Sequence, residues 1–465
     1  MPVNDFSAAP LSWQPKDVVL SRPKYLSLAA RLEKDIDDGI LPPGTRLPPQ
    51  RLLADFLDLN FTTVTRAYDI CRARGIIYGI TGRGTFVSPH GGYMSETSRT
   101  AVDLGAVQGF ASIGTELIID AAKTVLNREY TTRLFSYGER DGSERHRAAG
   151  AYWLNLFKIP VSKEQVAVFP GAQNALTTIL LAFFRPGDSI AVDEFTYSNL
   201  IGAAHLLNIN LVAIKGDGSG MSPAELERTA GKIPIRGIFL MPVCANPTTV
   251  TMPTERIDAL SSIIRKLDLA VIEDNASLEP EKTNSFFARL PERTFFLSGN
   301  TRFISPGLRV AFAAYPPQCK DKLLAAFHRL TIKTSSLDTE IMSELILDGR
   351  ASDILKIKIR HAAERNAIFE EIFPYLKRKS DDIAFFRTIP LPPNGKSGHE
   401  TEQALAGCNI NVCHSYRFAA NKRSKKKFLR VSLSSTESTK EFTNALRKLE
   451  AELRARGENH STIAW

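Results

Sequence analysis

Lysine is absent between residues 41 and 90, where six arginines accompany only three aspartates. A guanidinium group is planar and permanently charged, so it pairs in a bidentate manner with phosphate oxygens and with the edge of guanine. The arginines of this region are Arg46, Arg51, Arg66, Arg72, Arg74 and Arg83. This composition is typical of a surface that binds nucleic acid. It also fits a small helical domain whose arginines are simply solvated.

The elements that would position these arginines are three helices and a hairpin. Apolar residues recur every three or four positions in segments at about 25–40, 48–57 and 62–74, which predicts three helices. Two short apolar runs then flank a Gly-Arg-Gly tip, which predicts a β-hairpin. Together these elements predict a winged helix, whose third helix enters the major groove of DNA. The residues expected at the helix starts and the hairpin tip are Arg51, Thr62, Thr63, Thr65, Arg66, Arg83 and Gly84.

A second candidate binding feature begins where a predicted strand gives way to a predicted helix after Pro170. The stretch Gly171-Ala172-Gln173 opens that helix. A glycine at this place lets the free N–H groups of a helix N-terminus surround a phosphate. A strand followed by glycine and a helix is also a common turn, so both interpretations remain open.

The bulk composition limits the class of protein. The longest strongly apolar run, at about residues 175–184, is shorter than the roughly 20 residues that span a bilayer, and no signal-peptide pattern is visible. The five cysteines are widely spaced without a CxxC pair, so neither a zinc site nor a disulfide framework is expected. A formal net charge of +9 favours polyanionic partners, though only weakly. We therefore expect a cytoplasmic protein without a membrane or a metal partner.

The chain of 465 residues is longer than one core usually supports, so at least two domains are expected. From about residue 101, apolar strands alternate with helix-length patterns, which predicts an α/β domain with a mostly parallel sheet. The expected strands are 166–169, 189–192, 210–214, 237–241, 270–273, 294–297 and 310–314. The expected boundaries are an irregular arm up to residue 15, a winged helix at 16–88, a linker at 89–100, a large domain at 101–317, and a helical connection with a small α+β lobe at 318–465.

The N-terminal motifs resemble the GntR family of winged-helix regulators. The matching segments are Leu47–Ala54, Thr62–Tyr68, Arg74-Gly75 and Gly82–Val87. The resemblance implies contacts to double-stranded DNA from Arg51, Thr63, Arg66 and Arg83-Gly84. The family often carries an arginine where this chain has Phe61, so one of the family's phosphate contacts is in doubt here.

The rest of the chain resembles fold-type I pyridoxal-phosphate enzymes, and the whole resembles the MocR subgroup of GntR regulators. The resemblance implies an aminotransferase-like α/β domain with a small C-terminal lobe. It also implies roles for several residues: Gly171, Ala172, Gln173 and Arg309 for the cofactor phosphate, Asn246 for its ring oxygen, Asp274 for its pyridine nitrogen, Tyr197 near the ring, and Arg430 for a substrate or effector carboxylate. Asp274 would otherwise be a helix cap, and Tyr197 a core residue.

The position of the family's Schiff-base lysine, four residues before Pro-Gly-Leu-Arg309, holds Arg302 instead. No lysine occurs between Lys282 and Lys320. A guanidinium group stays protonated and cannot act as an amine nucleophile at neutral pH. The family's tyrosine shortly after Asp274 is also missing, and its serine three residues before the lysine is a glycine here. We therefore expect no catalytic residues and no transaminase activity.

The leading interpretation is a ligand-responsive repressor or activator. Its aminotransferase-like domain would sense a small anion, either pyridoxal phosphate held without a covalent bond or an amino-acid-like molecule. The fold usually buries its active site at a dimer interface, so a homodimer on a DNA operator is expected. Two alternatives remain open: a pyridoxal-phosphate-dependent aminotransferase with an appended DNA-binding domain, and a scaffold that binds DNA constitutively and no ligand.

Overall fold

The computed structural model describes residues 11–15, 22–38, 40–42, 44–73, 76–80, 84–88, 102–275, 279–280, 284–376, 382–393, 395–421 and 424–457. The chain forms two compact units that divide between residues 100 and 101. The linker predicted at 89–100 and the candidate Arg83 lie outside the described residues. In the described ranges no helix is long and apolar enough to cross a membrane. The same ranges contain no group of three or more metal-ligating side chains that could hold a metal ion.

The first unit has the three helices and the hairpin that the apolar periodicity predicts. Helices α1 (Lys24–Asp37), α2 (Gln50–Leu57) and α3 (Phe61–Ala73) precede the antiparallel strands β1 (Ile77–Ile80) and β2 (Gly84–Val87). Their apolar faces enclose one core, to which Leu32, Leu53 and Val64 contribute. Helix α1 ends earlier than predicted, and Ile40 is exposed because it lies beyond the last helical turn. The winged helix is confirmed.

Residues 11–15, which precede α1 in sequence, pack against this winged helix. Trp13 is 3% exposed and belongs to the domain core. Its indole Nε1 donates a hydrogen bond to Asp35 Oδ2 over 2.8 Å. Arg31 Nε donates to the other oxygen of the same carboxylate over 2.7 Å. Residues 11–15 therefore have an irregular backbone, as predicted for the arm, but they are fixed to the domain.

The second unit, here called the body, alternates strands and helices before it ends in a lobe. Its strands are β3 (Val102–Asp103), β4 (Val166–Phe169), β5 (Ser189–Asp193), β6 (Asn210–Ile214), β7 (Gly216–Asp217), β8 (Gly220–Met221), β9 (Ile235–Leu240), β10 (Ala270–Asn275), β11 (Thr294–Gly299), β12 (Ala311–Ala314), β13 (Phe386–Leu391), β14 (Ile410–Asn411), β15 (Cys413–His414) and β16 (Lys427–Ser432). Its helices are α4 (Thr115–Leu126), α5 (Glu144–Leu156), α6 (Ala172–Phe183), α7 (Ser198–Leu206), α8 (Pro223–Ala230), α9 (Thr254–Lys266), α10 (Asn300–Phe303), α11 (Lys320–Thr331), α12 (Ser336–Leu347), α13 (Arg350–Ile372), α14 (Gly398–Ala406) and α15 (Thr439–Ala455).

A seven-stranded sheet in the order β4-β12-β11-β10-β9-β5-β6 forms the centre of the body. Strands β6, β5, β9, β10 and β11 are parallel, while β12 runs antiparallel to both of its neighbours. Most of their residues are buried, as expected for a parallel sheet covered on both faces. The predicted α/β fold is confirmed. Strands β10 and β11 each continue two residues beyond their predicted ends, which brings Asp274 into β10.

The C-terminal lobe is built on the antiparallel sheet β13-β16-β15. Helices α13, α14 and α15 contribute Phe369, Leu405 and Leu446 to its core. Strand β3, which the sequence placed at the start of the large domain, pairs in parallel with β14 of this lobe. The pairing follows from packing, because Leu104, next to β3, is fully buried in the lobe core.

Candidate functional site

The candidate DNA-binding residues lie on the outer face of α2 and α3. Arg51 is the second residue of α2, Arg66 lies in the second turn of α3, and both side chains are exposed. The opposite face of α3 is fully buried through Val64 and Tyr68. Exposed arginines opposite a buried face are the arrangement that a recognition helix needs to reach the major groove.

Polar contacts fix the start of the recognition helix. The side-chain oxygen of Asn60 accepts hydrogen bonds from the backbone N–H and the hydroxyl of Thr62, each over 2.9 Å. The hydroxyl of Thr65 donates to Gln50 Oε1 over 2.9 Å and so ties the start of α2 to α3. Thr63 is half-buried. The sequence reasoning missed Gln50, although its place beside Arg51 at the start of α2 could have indicated it.

The wing contributes Gly84, whose φ of +115° favours glycine. A Cβ atom at this position would lie 3.0 Å from Nε of Arg46, so the Arg46 side chain lies directly against the wing. Arg46 is exposed but was not among the predicted site residues. Only its arginine type could have indicated it, because the sequence does not show which arginines lie next to the wing.

In the body, the ends of β10 and β11 bring Asp274 and Arg302 together. Asp274 pairs in register with Leu297, and Arg302 lies in α10, directly after β11. Asp274 is buried; burial raises the pKa of its carboxyl, while the nearby charge of Arg302 lowers it. Gly109 packs on the backbone of Arg302 so closely that a Cβ atom there would lie 2.8 Å from the Arg302 Cα.

The residues predicted to hold a phosphate meet at the start of α6. Gly171 has φ of +92°, and a Cβ atom there would lie only 2.5 Å from Nη2 of Arg309. Ala172 and Gln173 are the first two residues of α6. Arg309 itself adopts a left-handed backbone with φ of +49°, which is uncommon for a residue other than glycine. Because its Nη2 lies so close to Gly171, the Arg309 guanidinium group lies at the N-terminus of α6. This arrangement can bind a phosphate.

Arg430 and Asn246 lie 184 residues apart in sequence but form a direct contact. Arg430 Nη1 donates to Asn246 Oδ1 over 3.1 Å, and Nη2 donates to the carbonyl oxygen of Gly105. Arg430 is 8% exposed, and its Nε has no hydrogen-bond partner within the described ranges. A buried, planar guanidinium group with an unused donor is suited to bind a carboxylate.

Tyr197 lies within electrostatic reach of all these charged groups. Burial raises the pKa of its hydroxyl; the charge of Asp274 raises it further, and the charges of Arg302 and Arg309 lower it. Burial also lowers the pKa of Arg430, with a further contribution from Arg302. The side chains of Arg302 and Arg309 form no hydrogen bond or ion pair with any described residue. The body thus brings three arginines, Arg302, Arg309 and Arg430, and the buried carboxyl of Asp274 within electrostatic reach of Tyr197. This set is called the anion pocket below.

The two units match two different family models. Residues 24–87 match the model of bacterial regulatory proteins of the gntR family. Residues 108–449 match the model of aminotransferase class I and II. The chain belongs to the MocR-like regulators of the GntR family. The first unit is the GntR-type DNA-binding domain of a MocR-like regulator, here called the head, and the body has its aminotransferase fold.

Relatives agree with this assignment. The HTH-type transcriptional regulator YdeF of Bacillus subtilis (strain 168) is 31% identical over 457 residues, which cover 96% of this chain and 98% of YdeF. YdcR of Escherichia coli (strain K12), also named an HTH-type transcriptional regulator, is 24% identical over 424 residues, covering 82% of this chain and 89% of YdcR. The structure of LysN, the alpha-aminoadipate aminotransferase of Thermus thermophilus, shows the same fold with a TM-score of 0.69 at 23% identity, covering 76% of this chain and 92% of LysN. The protein is a DNA-binding transcriptional regulator with an aminotransferase-like domain.

Proposed function

We propose that this regulator responds to a small anion in the anion pocket and that its body has no transaminase activity. The observation that carries the proposal is the pair Arg302 and Arg309, whose side chains have no hydrogen-bond or ion-pair partner among the described residues. Arg430, buried beside them, keeps an unused donor. Clustered cations in a partly buried site attract an anion strongly, because the local dielectric screens their charges less than water does.

Pyridoxal 5'-phosphate is the first candidate ligand, because the chain has most of the residue types that would hold it. Arg309 and the start of α6 would bind its phosphate, Asp274 its pyridine nitrogen, and Asn246 its ring oxygen. When bound, the group supplies an electron sink. Covalent attachment does not fit, because Arg302 offers a permanently charged guanidinium group where an amine is required. LysN, by comparison, was solved with N-(5'-phosphopyridoxyl)-L-leucine.

An amino-acid-like molecule is the second candidate ligand. Arg430 would bind its carboxylate, and Arg302 would add a fixed positive charge that holds a phosphate or a carboxylate. A ligand that binds one arrangement of the chain more tightly than another shifts the balance between them. In this regulator that shift would change how two DNA-binding heads are spaced on an operator in the cytoplasm.

A homodimer would supply the two heads. Phe135 and Tyr137 are 70% and 83% exposed, which is unusual for aromatic side chains of a folded domain. Ile332, which lines a surface depression with Tyr137, is also exposed. A second copy of the body covering this surface would remove these residues from water. Sedimentation of the purified chain at micromolar concentration would give the mass of a dimer; a monomer would contradict this part of the proposal.

The experiment is a titration of the purified chain with pyridoxal phosphate, followed by borohydride reduction and intact-mass measurement. We expect a saturable absorbance change without a gain in mass, because binding is not covalent. Arg309→Met should weaken that binding by at least about tenfold, since it removes a charged partner of the phosphate. No absorbance change in the wild-type chain would contradict pyridoxal phosphate as the ligand.

A mass gain would favour the alternative, an aminotransferase with an appended DNA-binding domain. One observation makes Lys358 the residue to test: it is fully buried, and its Nζ donates to the carbonyl oxygen of Ile304, two residues after Arg302. Burial lowers the pKa of this amine to about 8, so its neutral, nucleophilic form is more accessible near neutral pH than that of an ordinary lysine. If Lys358→Met abolished the mass gain, Lys358 would be the amine that reacts.

A further inference from the structure

Two arginines on the outer face of α2 and α3, called the DNA face below, each lie over an aromatic ring. The guanidinium carbon of Arg51 is 5.7 Å from the ring centre of Phe61, at the start of α3. The guanidinium carbon of Arg66 is 5.8 Å from the ring centre of Tyr25, at the start of α1. Both distances lie within the range of about 6 Å in which a cation is attracted to a ring face.

We propose that Phe61 and Tyr25 are positioning residues that hold Arg51 and Arg66 in the orientation in which they bind DNA. The proposal rests on the assignment of these two arginines as DNA contacts. It adds two residues that act through the arginines, without requiring that either ring touch the DNA.

The rings differ from the other partners that arginines find in this unit. Arg72 pairs with Asp69 over 2.8 Å, and Arg31 pairs with Asp35. A carboxylate partner offsets the charge of an arginine and occupies some of its N–H donors. Neither Arg51 nor Arg66 forms such an ion pair with a described residue. A ring restrains the long side chain and leaves its full positive charge and its N–H donors for the DNA.

Restraint matters because a free arginine loses side-chain entropy when it binds. Holding the guanidinium group near its bound orientation lowers that cost before the DNA arrives. An exposed cation–ring pair corresponds to about two- to fivefold in an equilibrium constant. Phe61 is 42% exposed and is not part of the core of this unit, so core packing does not account for the ring at this position.

The position of Phe61 also has a consequence for salt dependence. An arginine at this position, at the start of the recognition helix, would contact a phosphate and release a counterion. Phe61 carries no such charge, and its ring supports Arg51 instead. Phe61→Arg should therefore steepen the dependence of log K on log salt by about 0.9, the contribution of one phosphate contact.

The test is a double-mutant cycle with the full-length chain. The probe is a 30-base-pair duplex selected by the wild-type protein from a random pool, and binding is followed by fluorescence anisotropy at about 50 mM salt, where weak complexes remain measurable. The variants are Phe61→Leu, Arg51→Ala and both together, with Tyr25→Leu and Arg66→Ala as the second cycle. We expect Phe61→Leu to weaken binding about two- to fivefold in the wild-type background and to have no effect beside Arg51→Ala.

Two controls separate positioning from a structural role. Phe61→Tyr keeps a ring and should keep wild-type affinity, and the melting temperature of Phe61→Leu should stay near the wild-type value. If Phe61→Leu caused the same loss with and without Arg51, the ring would act on its own and the inference would be overturned. If Arg51→Ala and Arg66→Ala both left affinity unchanged, the assigned DNA face itself would be wrong.

Discussion

Replacing Trp13 with phenylalanine tests whether residues 11–15 are part of the DNA-binding unit. The gntR family model begins at residue 24, so Trp13 lies outside the matched residues. Phenylalanine keeps most of the buried ring and removes the Nε1–H that donates to Asp35 Oδ2 over 2.8 Å. The carboxylate remains buried and keeps its bond from Arg31.

The expected loss follows from the charge and burial of the acceptor. A hydrogen bond to a charged group contributes about 1.5–3 kcal/mol to the free energy of unfolding. Because Oδ2 of Asp35 would stay buried without this donor, we expect the upper half of that range. For a unit of at most 100 residues, each kcal/mol shifts the melting temperature by about 4–8 °C. The melting temperature of the first unit should therefore fall by roughly 10 °C or more.

The assay is binding of the selected duplex by the full-length chain as temperature rises, because the assigned DNA face belongs to the first unit. Trp153→Phe is the matched control: Trp153 is fully buried in the body, and its Nε1 has no hydrogen-bond partner among the described residues. The control should leave the temperature dependence of DNA binding unchanged. If Trp13→Phe lowered the midpoint no more than Trp153→Phe does, the reasoning from the Asp35 hydrogen bond would be refuted.

Three further predictions concern the body. Gly171→Ala places a Cβ atom within 2.5 Å of the Arg309 side chain, at a backbone φ of +92° that favours glycine. It should therefore weaken pyridoxal phosphate binding by about tenfold or more in an absorbance titration. The control Gly202→Ala, with open space around the added Cβ atom, should leave this binding unchanged. Arg302→Lys restores an amine and should produce a mass gain after borohydride reduction; an unchanged mass would mean that the pocket no longer places pyridoxal phosphate beside position 302. Burial raises the pKa of Glu340, but hydrogen bonds from histidine, tyrosine and arginine side chains outweigh it and lower the pKa to about 2. A lowered carboxyl pKa stabilises the fold above the unfolded-state value near 4.5, and this contribution disappears as pH falls towards 2. Glu340→Gln should thus destabilise the body by roughly 3 kcal/mol at pH 7 in urea unfolding, and by much less at pH 3; an equal loss at both pH values would exclude an electrostatic origin.

The sequence by itself determined the elements and one piece of chemistry. Apolar periodicity located the three helices and the hairpin of the head, and the seven strands of the central sheet, because burial of one face imposes its period on the residues. The absence of an amine at position 302 is also a sequence fact, since no fold can make a guanidinium group act as an amine nucleophile at neutral pH. The order of motifs was enough to predict the family.

The tertiary structure decided which side chains act together. Only packing brings Arg430 to Asn246, buries Trp13 in the winged helix, and places the Phe61 ring beneath Arg51. These contacts join residues far apart in sequence or on different helices, and sequence spacing carries no signal for them. The physical reason is that side-chain pairing across elements depends on how the elements pack, and packing is set by the whole core at once.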